Sequence, residues 1–377
     1  MKKKIALILV LSAALIYAGC RKSEFQPEAF SQVPNLPATT INYGTTNDQM
    51  VTLGRVLFYD KKMSLNNTVA CGSCHRQSHA FCDNQQFSKG LQDQPTRRNT
   101  PSIINHSGPL FWDGRANTYY QLAAMPLANH VEMYNYDMHQ LESKIASISY
   151  YPQLFNNAFG DNHVTMDRIQ KSIALFLQMI DFQNNKVGPM ALWGGTTNQP
   201  LTGLEEEGRL LFVGKAKCAN CHSGPAFSGW QSECIGLDES YTDNGVGELT
   251  DSSGDKGRFN VPPLFNIEYT APYMHDGRFK TLEEVVEHYN SGIKNHPNLS
   301  WQLKNIEGTD DMTTAQILLA YDTNHDGDIS ESEMPPATPI RMNLSEYEKK
   351  ALVAFLKALS DPAIFTDTRF SDPFRVN

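Results

Sequence analysis

The stretch CANCHSGPAF, Cys218 to Phe227, puts two cysteines three residues apart with a histidine directly after the second. The same pattern stands earlier in CGSCH, Cys71 to His75. A C-x-x-C-H string is an attachment signature for c-type haem. Each thiol adds to a vinyl group of the porphyrin, and the adjacent imidazole lies beneath the ring as an axial iron ligand. With 7 cysteines and 11 histidines in 377 residues, about 0.004 such strings are expected by chance, so two are not an accident of composition. Zinc ribbons and thioredoxin-like dithiols share the C-x-x-C spacing, but neither explains a histidine in the same place twice. The expectation is two covalently bound haem c groups, attached through Cys71, Cys74, Cys218 and Cys221, with His75 and His222 as proximal ligands.

Export agrees with that chemistry. The leader MKKKIALILVLSAALIYAGC has three lysines, an apolar run and small residues before Cys20. It reads as a signal peptide over residues 1–19, too short and wrongly flanked for a stable membrane span. Its removal takes the net charge from −9 to about −12, which disfavours nucleic acid and suits a basic protein partner. YAGC is similar to a bacterial lipobox, making Cys20 the lipidated residue and the only link to a membrane. Residues 20–45, rich in Pro, Ser, Thr and Asn, read as a tether. Cys82 and Cys234 are left over, either as a disulfide allowed by an oxidising compartment or as two small buried residues.

Around the motifs the chain is written twice. GRVLFYDKKMSLNNTVACGSCH (54–75) is echoed by GRLLFVGKAKCANCH (208–222), and FWDGRANTYYQLAAMP (111–126) by MHDGRFKTLEEVVEHY (274–289). Such repetition predicts one unit duplicated, with domains at 46–195 and 196–377. Ile169, Ile173, Phe176, Leu177 and Ile180 fall on one helical stripe. Thr281 with Glu284, and Ser345 with Glu348, are capping boxes opening two more helices. Strand alternation is nearly absent, so the fold class is all-α: two cytochrome c-like haem domains in tandem.

An insertion at about residues 300–340 carries DTNHDGDISESE (322–333), which fits the EF-hand calcium loop. Asp322, Asn324 and Asp326 supply side-chain oxygens, Asp328 a backbone carbonyl and Glu333 two oxygens. MPP follows at once and blocks an ordinary exit helix. The expectation is an EF-hand-like structural clip rather than a sensor.

The two haem motifs, RNTPSIIN (98–105), FWDGR (111–115), EM (132–133) and TAPYMHDGR (270–278) together resemble the bacterial dihaem cytochrome c peroxidase family, which includes enzymes of the MauG type. The resemblance covers roughly residues 46–300 and 340–360. It implies a peroxidatic haem in the first domain, an electron-transfer haem in the second and a calcium between them. Carried over by position, Trp112 lies between the haems and Glu132 is the distal carboxylate. Asn99 and the carbonyls of Thr270 and Pro272 hold the calcium. The family's usual glutamine after WDGR falls at Leu122 here, with Gln121 one position early. No histidine stands between Ala80 and Asn105, where capped peroxidases of the family carry a removable ligand.

Aligning the two D-G-R turns places Pro126 opposite Tyr289, a position that in the family offers the sixth ligand of the second haem. Proline has no donor atom, so the first iron stays open, while the Tyr289 phenol closes the second. Met274 and His288 are rival ligands. The resemblance thus implies an enzyme reducing hydrogen peroxide to water with electrons from a small cytochrome c or cupredoxin in the periplasm. The alternatives are a MauG-like oxidase acting on a protein side chain through a high-valent iron state, and a dihaem electron carrier with both irons closed. A homodimer is left open.

Overall fold

Helix α1, Asp48–Tyr59, places an acidic residue in its first turn, where the helix dipole favours negative charge, and buries every residue from Val51 to Tyr59. A segment buried on all faces must lie inside a core. In the computed structural model, which describes residues 31–36, 41–104, 108–180, 186–188, 191–192, 195, 197–306, 312, 314–323, 329 and 337–375, α1 is one of a series of helices. The series continues with α2 (Tyr119–Ala128), α3 (Met138–Ser147), α4 (Tyr151–Phe159) and α5 (Met166–Met179). After these come α6 (Gly203–Val213), α7 (Leu282–Glu287), α8 (Thr314–Tyr321) and α9 (Glu346–Ala358). Residues 37–373 form one compact unit, and the described ends 31–36 and 374–375 belong to a second.

The protein is mostly helical with little sheet. Among the described residues the strands are short and form two antiparallel ribbons. One pairs β1 (Ser232–Glu233) with β2 (Phe259–Asn260), the other β3 (Lys304–Ile306) with β4 (Ala337–Pro339). The second ribbon pairs Ile306 with Ala337, two positions 31 residues apart in the chain.

Two helix pairs carry the unit: α1 packs along α5, and α6 along α9. Each pair closes over a glycine. A Cβ on Gly54 would lie 1.9 Å from the Ser172 carbonyl oxygen, and one on Gly208 1.9 Å from that of Ala351. The aromatic contacts beside them repeat as well, with Phe58 on Phe176 and Phe212 on Phe355 at 5.2 Å in both cases. The stripe Ile169, Ile173, Phe176 and Leu177 of α5, with Ile180 just past its end, is buried as its spacing requires. Both expected capping boxes form, at Thr281 with Glu284 and at Ser345 with Glu348. Helix α2 lies on α5 and α7 on α9, so the chain's written repeat is also a repeat of packing.

The glycine contacts give a stability test. Gly54→Ala forces a methyl into the α5 backbone and should cost about 1–3 kcal/mol in chemical denaturation followed by far-UV circular dichroism. Gly203→Ala, at a helix start with open space around it, should be neutral or slightly stabilising. Equal effects would mean that the close approach at Gly54 is not what joins the pair.

Candidate functional site

Both motifs are short helical turns that end on a histidine. Cys71–Cys74 is a single turn, closed by the His75 N–H on the Cys71 carbonyl at 2.9 Å. Cys218–Asn220 is a tighter turn, with the His222 N–H on the Cys218 carbonyl, also at 2.9 Å. His75 Nδ1 lies 2.8 Å from the Phe81 carbonyl oxygen and His222 Nδ1 2.7 Å from that of Phe227. A carbonyl only accepts, so Nδ1 carries the proton and Nε2 keeps its lone pair for a metal. Burial lowers both imidazoles, His222 to about 4, keeping them neutral. The carbonyls are aimed by strained backbone. Ala80–Phe81 and Ala226–Phe227 both take positive φ, between 52° and 58°, a conformation costly for residues with a side chain.

Burial pushes the thiols of Cys71, Cys74 and Cys218 up to about 12. Among the described residues no three His, Cys, Asp or Glu side chains converge on a metal position, and neither motif has the four ligands of a zinc ribbon.

The surroundings of the second motif fit a haem. Cys218, Cys221 and His222 border an apolar cavity whose other walls include Phe265, Leu282, Val286, Leu344 and Leu352. Tyr289 also borders it, from a π-helical turn, His288–Gly292, that continues α7. Such turns re-aim side chains and are frequent at functional sites. Burial, with Cys221 and Cys218 nearby, holds the Tyr289 phenol above its ordinary range. Met274 borders the same cavity. His288 does not turn its Nε2 there but sets it 3.0 Å from the Ile235 carbonyl oxygen.

Near the first motif, Glu132 stands in a turn held on several sides. Asn129 Nδ2 donates to Glu132 Oε1 at 2.9 Å, and the Glu132 N–H reaches the Asn129 carbonyl at 3.1 Å. The Leu91 N–H holds the Val131 carbonyl at 2.6 Å, over Gly90, where a Cβ would lie 2.0 Å from that oxygen. Burial raises the Glu132 carboxyl, partly offset by Arg115, and its charge is felt at Cys71 and Cys74. Pro126 stands inside α2.

The cavity of the second motif reaches the join between the two written repeats. Trp112, Asn99, Thr270 and Pro272 line it too. The Trp112 indole N–H donates to the Asn99 carbonyl at 2.8 Å, and the Asn99 N–H to the His275 carbonyl at 2.7 Å. His275 stacks on Phe259 at 3.8 Å. Asn99 spends its amide nitrogen on the Gln85 carbonyl at 3.0 Å.

Asp322 is buried at the end of α8, while Asn324, Asp326, Asp328 and Glu333 lie outside the described residues, as does Cys20. Cys82 and Cys234 are both free and buried, so no disulfide joins them. Cys82 Sγ donates to the His79 carbonyl at 2.9 Å and Cys234 Sγ lies 3.5 Å from His296 Nδ1.

Three features escaped the sequence: the paired Ala–Phe turns, the π-turn under Tyr289, and Arg98 with its partner Asp243. The Ala–Phe dipeptide follows both motifs and is a signal that could have been read. The other two rest on contacts or geometry that no local pattern carries.

The protein-family model for di-haem cytochrome c peroxidase matches residues 48–189 and 206–369. The chain therefore belongs to that family, and it is an oxidoreductase that uses peroxide. Among curated relatives, the cytochrome c551 peroxidase of Nitrosomonas europaea is 38% identical over 248 residues, covering 64% of this chain and 72% of that protein. The methylamine utilization protein MauG of Methylophilus methylotrophus is 28% identical, covering 87% of this chain and 97% of that one. Among solved structures, a MauG-like protein associated with microbial copper homeostasis superposes with a TM-score of 0.68 at 26% identity, over 94% of this chain and 99% of that one.

Removing both thiols of one motif should remove one haem and leave the other. Denaturing mass analysis of Cys218→Ala/Cys221→Ala should find a chain lighter by one haem, and retention of both would sink the attachment reading.

Proposed function

We propose that the chain is an exported dihaem peroxidase built from two copies of one haem-binding unit, residues 46–195 and 196–377, with unlike sites. The observation that carries this is the difference between the two repeats. A held carboxylate, Glu132, serves the first site, where the matching helix position is Pro126. The phenol of Tyr289 serves the second. Cys71, Cys74 and His75 hold the first haem; Cys218, Cys221, His222 and Tyr289 hold the second. When bound, the haems supply irons that exchange electrons with peroxide and with an electron donor.

The chain's own residues manage the protons and the path. Reduction of peroxide to two waters consumes two electrons and two protons. Glu132 accepts the proton of one peroxide oxygen and returns it to the other, the leaving oxygen, so that water rather than hydroxide departs. The hydrogen bond from Asn129 keeps the carboxyl from swinging away. Trp112, fixed at its indole N–H, supplies an aromatic bridge between the haems. Asn99 Oδ1, with the carbonyls of Thr270 and Pro272, offers hard oxygen donors suited to calcium. By their sequence pattern, Asp322, Asn324, Asp326, Asp328 and Glu333 offer oxygen donors for a second calcium. Electrons come from a small cytochrome c or cupredoxin, and Cys20 carries a lipid anchor. Among the described residues no helix is long and apolar enough to cross a membrane.

A second reading is favoured by Tyr289: a MauG-like oxidase that draws electrons from a protein side chain. An anionic oxygen ligand favours oxidised iron, which suits that role better than a neutral thioether from Met274. Rapid mixing with peroxide separates the readings. With donor present, the peroxidase reading expects turnover to water, and the oxidase reading expects a long-lived oxidised protein until a protein substrate is added.

Glu132 gives the sharper test. Glu132→Gln cannot relay a proton and should slow peroxide reduction by about 10²–10⁴ with haem content unchanged. A loss below about threefold would remove Glu132 from the catalytic role. Because burial raises its carboxyl and the base form is the active one, kcat/KM for peroxide should fall as pH drops through that raised value. The acid limb should vanish in Glu132→Gln.

A further inference from the structure

Arg98 sits at the join with a guanidinium that touches both repeats. Its Nε and one terminal nitrogen donate to the two carboxylate oxygens of Asp243, at 2.7 Å each. The other terminal nitrogen donates to Asp113. Its side chain is 12% exposed, and those of Asp113 and Asp243 are 6% and 13% exposed. Arg115 shares Asp113 at 2.9 Å, and the neighbouring Arg97 pairs with Glu248. The Arg98 guanidinium also lies over the Phe259 ring, 5.6 Å from its centroid, on the ring that stacks against His275.

These partners flank the anchors of Trp112. Asp113 follows Trp112 in the chain, and Asn99, whose carbonyl takes the indole proton, follows Arg98. Asn260, next to Phe259, donates its backbone N–H to the Trp112 carbonyl at 2.8 Å. A bidentate fork fixes orientation as well as distance, which a lysine's single point charge does not. We propose that Arg98 is a positioning residue that locks the Trp112 indole between the two repeats by clamping Asp113 and Asp243 in one plane. The proposal rests on the bridging role read for Trp112. A purely structural join would need the charges but not the fork, and would loosen everything when lost.

The test uses the haem-loaded protein and two variants. Arg98→Gln/Asp243→Asn removes the fork without leaving Asp243 as an unpaired buried acid, while Asp113 keeps Arg115. Arg98→Lys keeps the charge and loses the fork, and it decides the matter if the double variant does not load haem. Hydrogen exchange by mass spectrometry should accelerate roughly tenfold or more at the Asn99 and Asn260 amides, with α1, α5, α6 and α9 unchanged. Electron transfer between the haems, followed optically after reduction of the second, should slow by roughly tenfold to a hundredfold, the scale of a small misplacement. Haem spectra should stay native. Exchange at those amides within twofold of native, or acceleration spread over all helices, would overturn the clamp. Trp112→Phe separates the underlying reading: if it leaves inter-haem transfer unchanged, the bridge fails and the clamp stands or falls on amide exchange alone.

Discussion

The two histidine motifs share one hydrogen bond made twice, from a histidine Nδ1 to a phenylalanine carbonyl. His75 reaches Phe81 at 2.8 Å and His222 reaches Phe227 at 2.7 Å. The bond settles the tautomer and leaves Nε2 as the free donor. The carbonyls that accept it belong to two Ala–Phe turns held at positive φ. The same phenylalanines enter the aromatic cores, Phe81 against Phe58 and Phe227 against Phe212 and Phe355. Ligand orientation and core packing are therefore one structural event. The glycine-closed helix pairs then hold each turn from behind.

On that repeated frame, the proposed function rests on the places where the repeats differ. The position holding Pro126 in α2 becomes Tyr289 in a π-turn, and the turn carrying Trp112 becomes one carrying His275. Burial lowers His275 to about 4, and its ring is stacked on Phe259 rather than turned to a ligand role. Trp112 instead has its indole N–H tied across to Asn99, whose own N–H is tied to His275. The join thus runs from the Trp112 indole through the Asn99 backbone to the His275 carbonyl, with buried charges beside it.

Much of this was legible because the chemistry forces local patterns. Covalent attachment requires C-x-x-C-H, two of the helices open on capping boxes that are written in the sequence, and a helix buried on one side requires a spaced apolar stripe. The repeat made Pro126 and Tyr289 comparable before any coordinates. What was not legible depends on distance along the chain. Arg98 and Asp243 are 145 residues apart, and nothing local marks them as partners. The π-turn is invisible too, because TLEEVVEHYNSG reads as an ordinary capped helix; Leu282, Val285, Val286 and Tyr289 border the cavity at helical spacing, while His288 faces Ile235. Cys82 and Cys234 could not be settled by counting; burial with separate partners for each decides that they are thiols.

The central claim is that the two sites differ in coordination, open beside Glu132 and closed by Tyr289. Resonance Raman of the fully oxidised protein, with Tyr289→Phe alongside, tests it most directly. The account predicts one five-coordinate high-spin and one six-coordinate haem in the native protein, the latter showing phenolate modes that vanish in Tyr289→Phe. Two six-coordinate low-spin haems, or a second-haem spectrum untouched by that substitution, would contradict it.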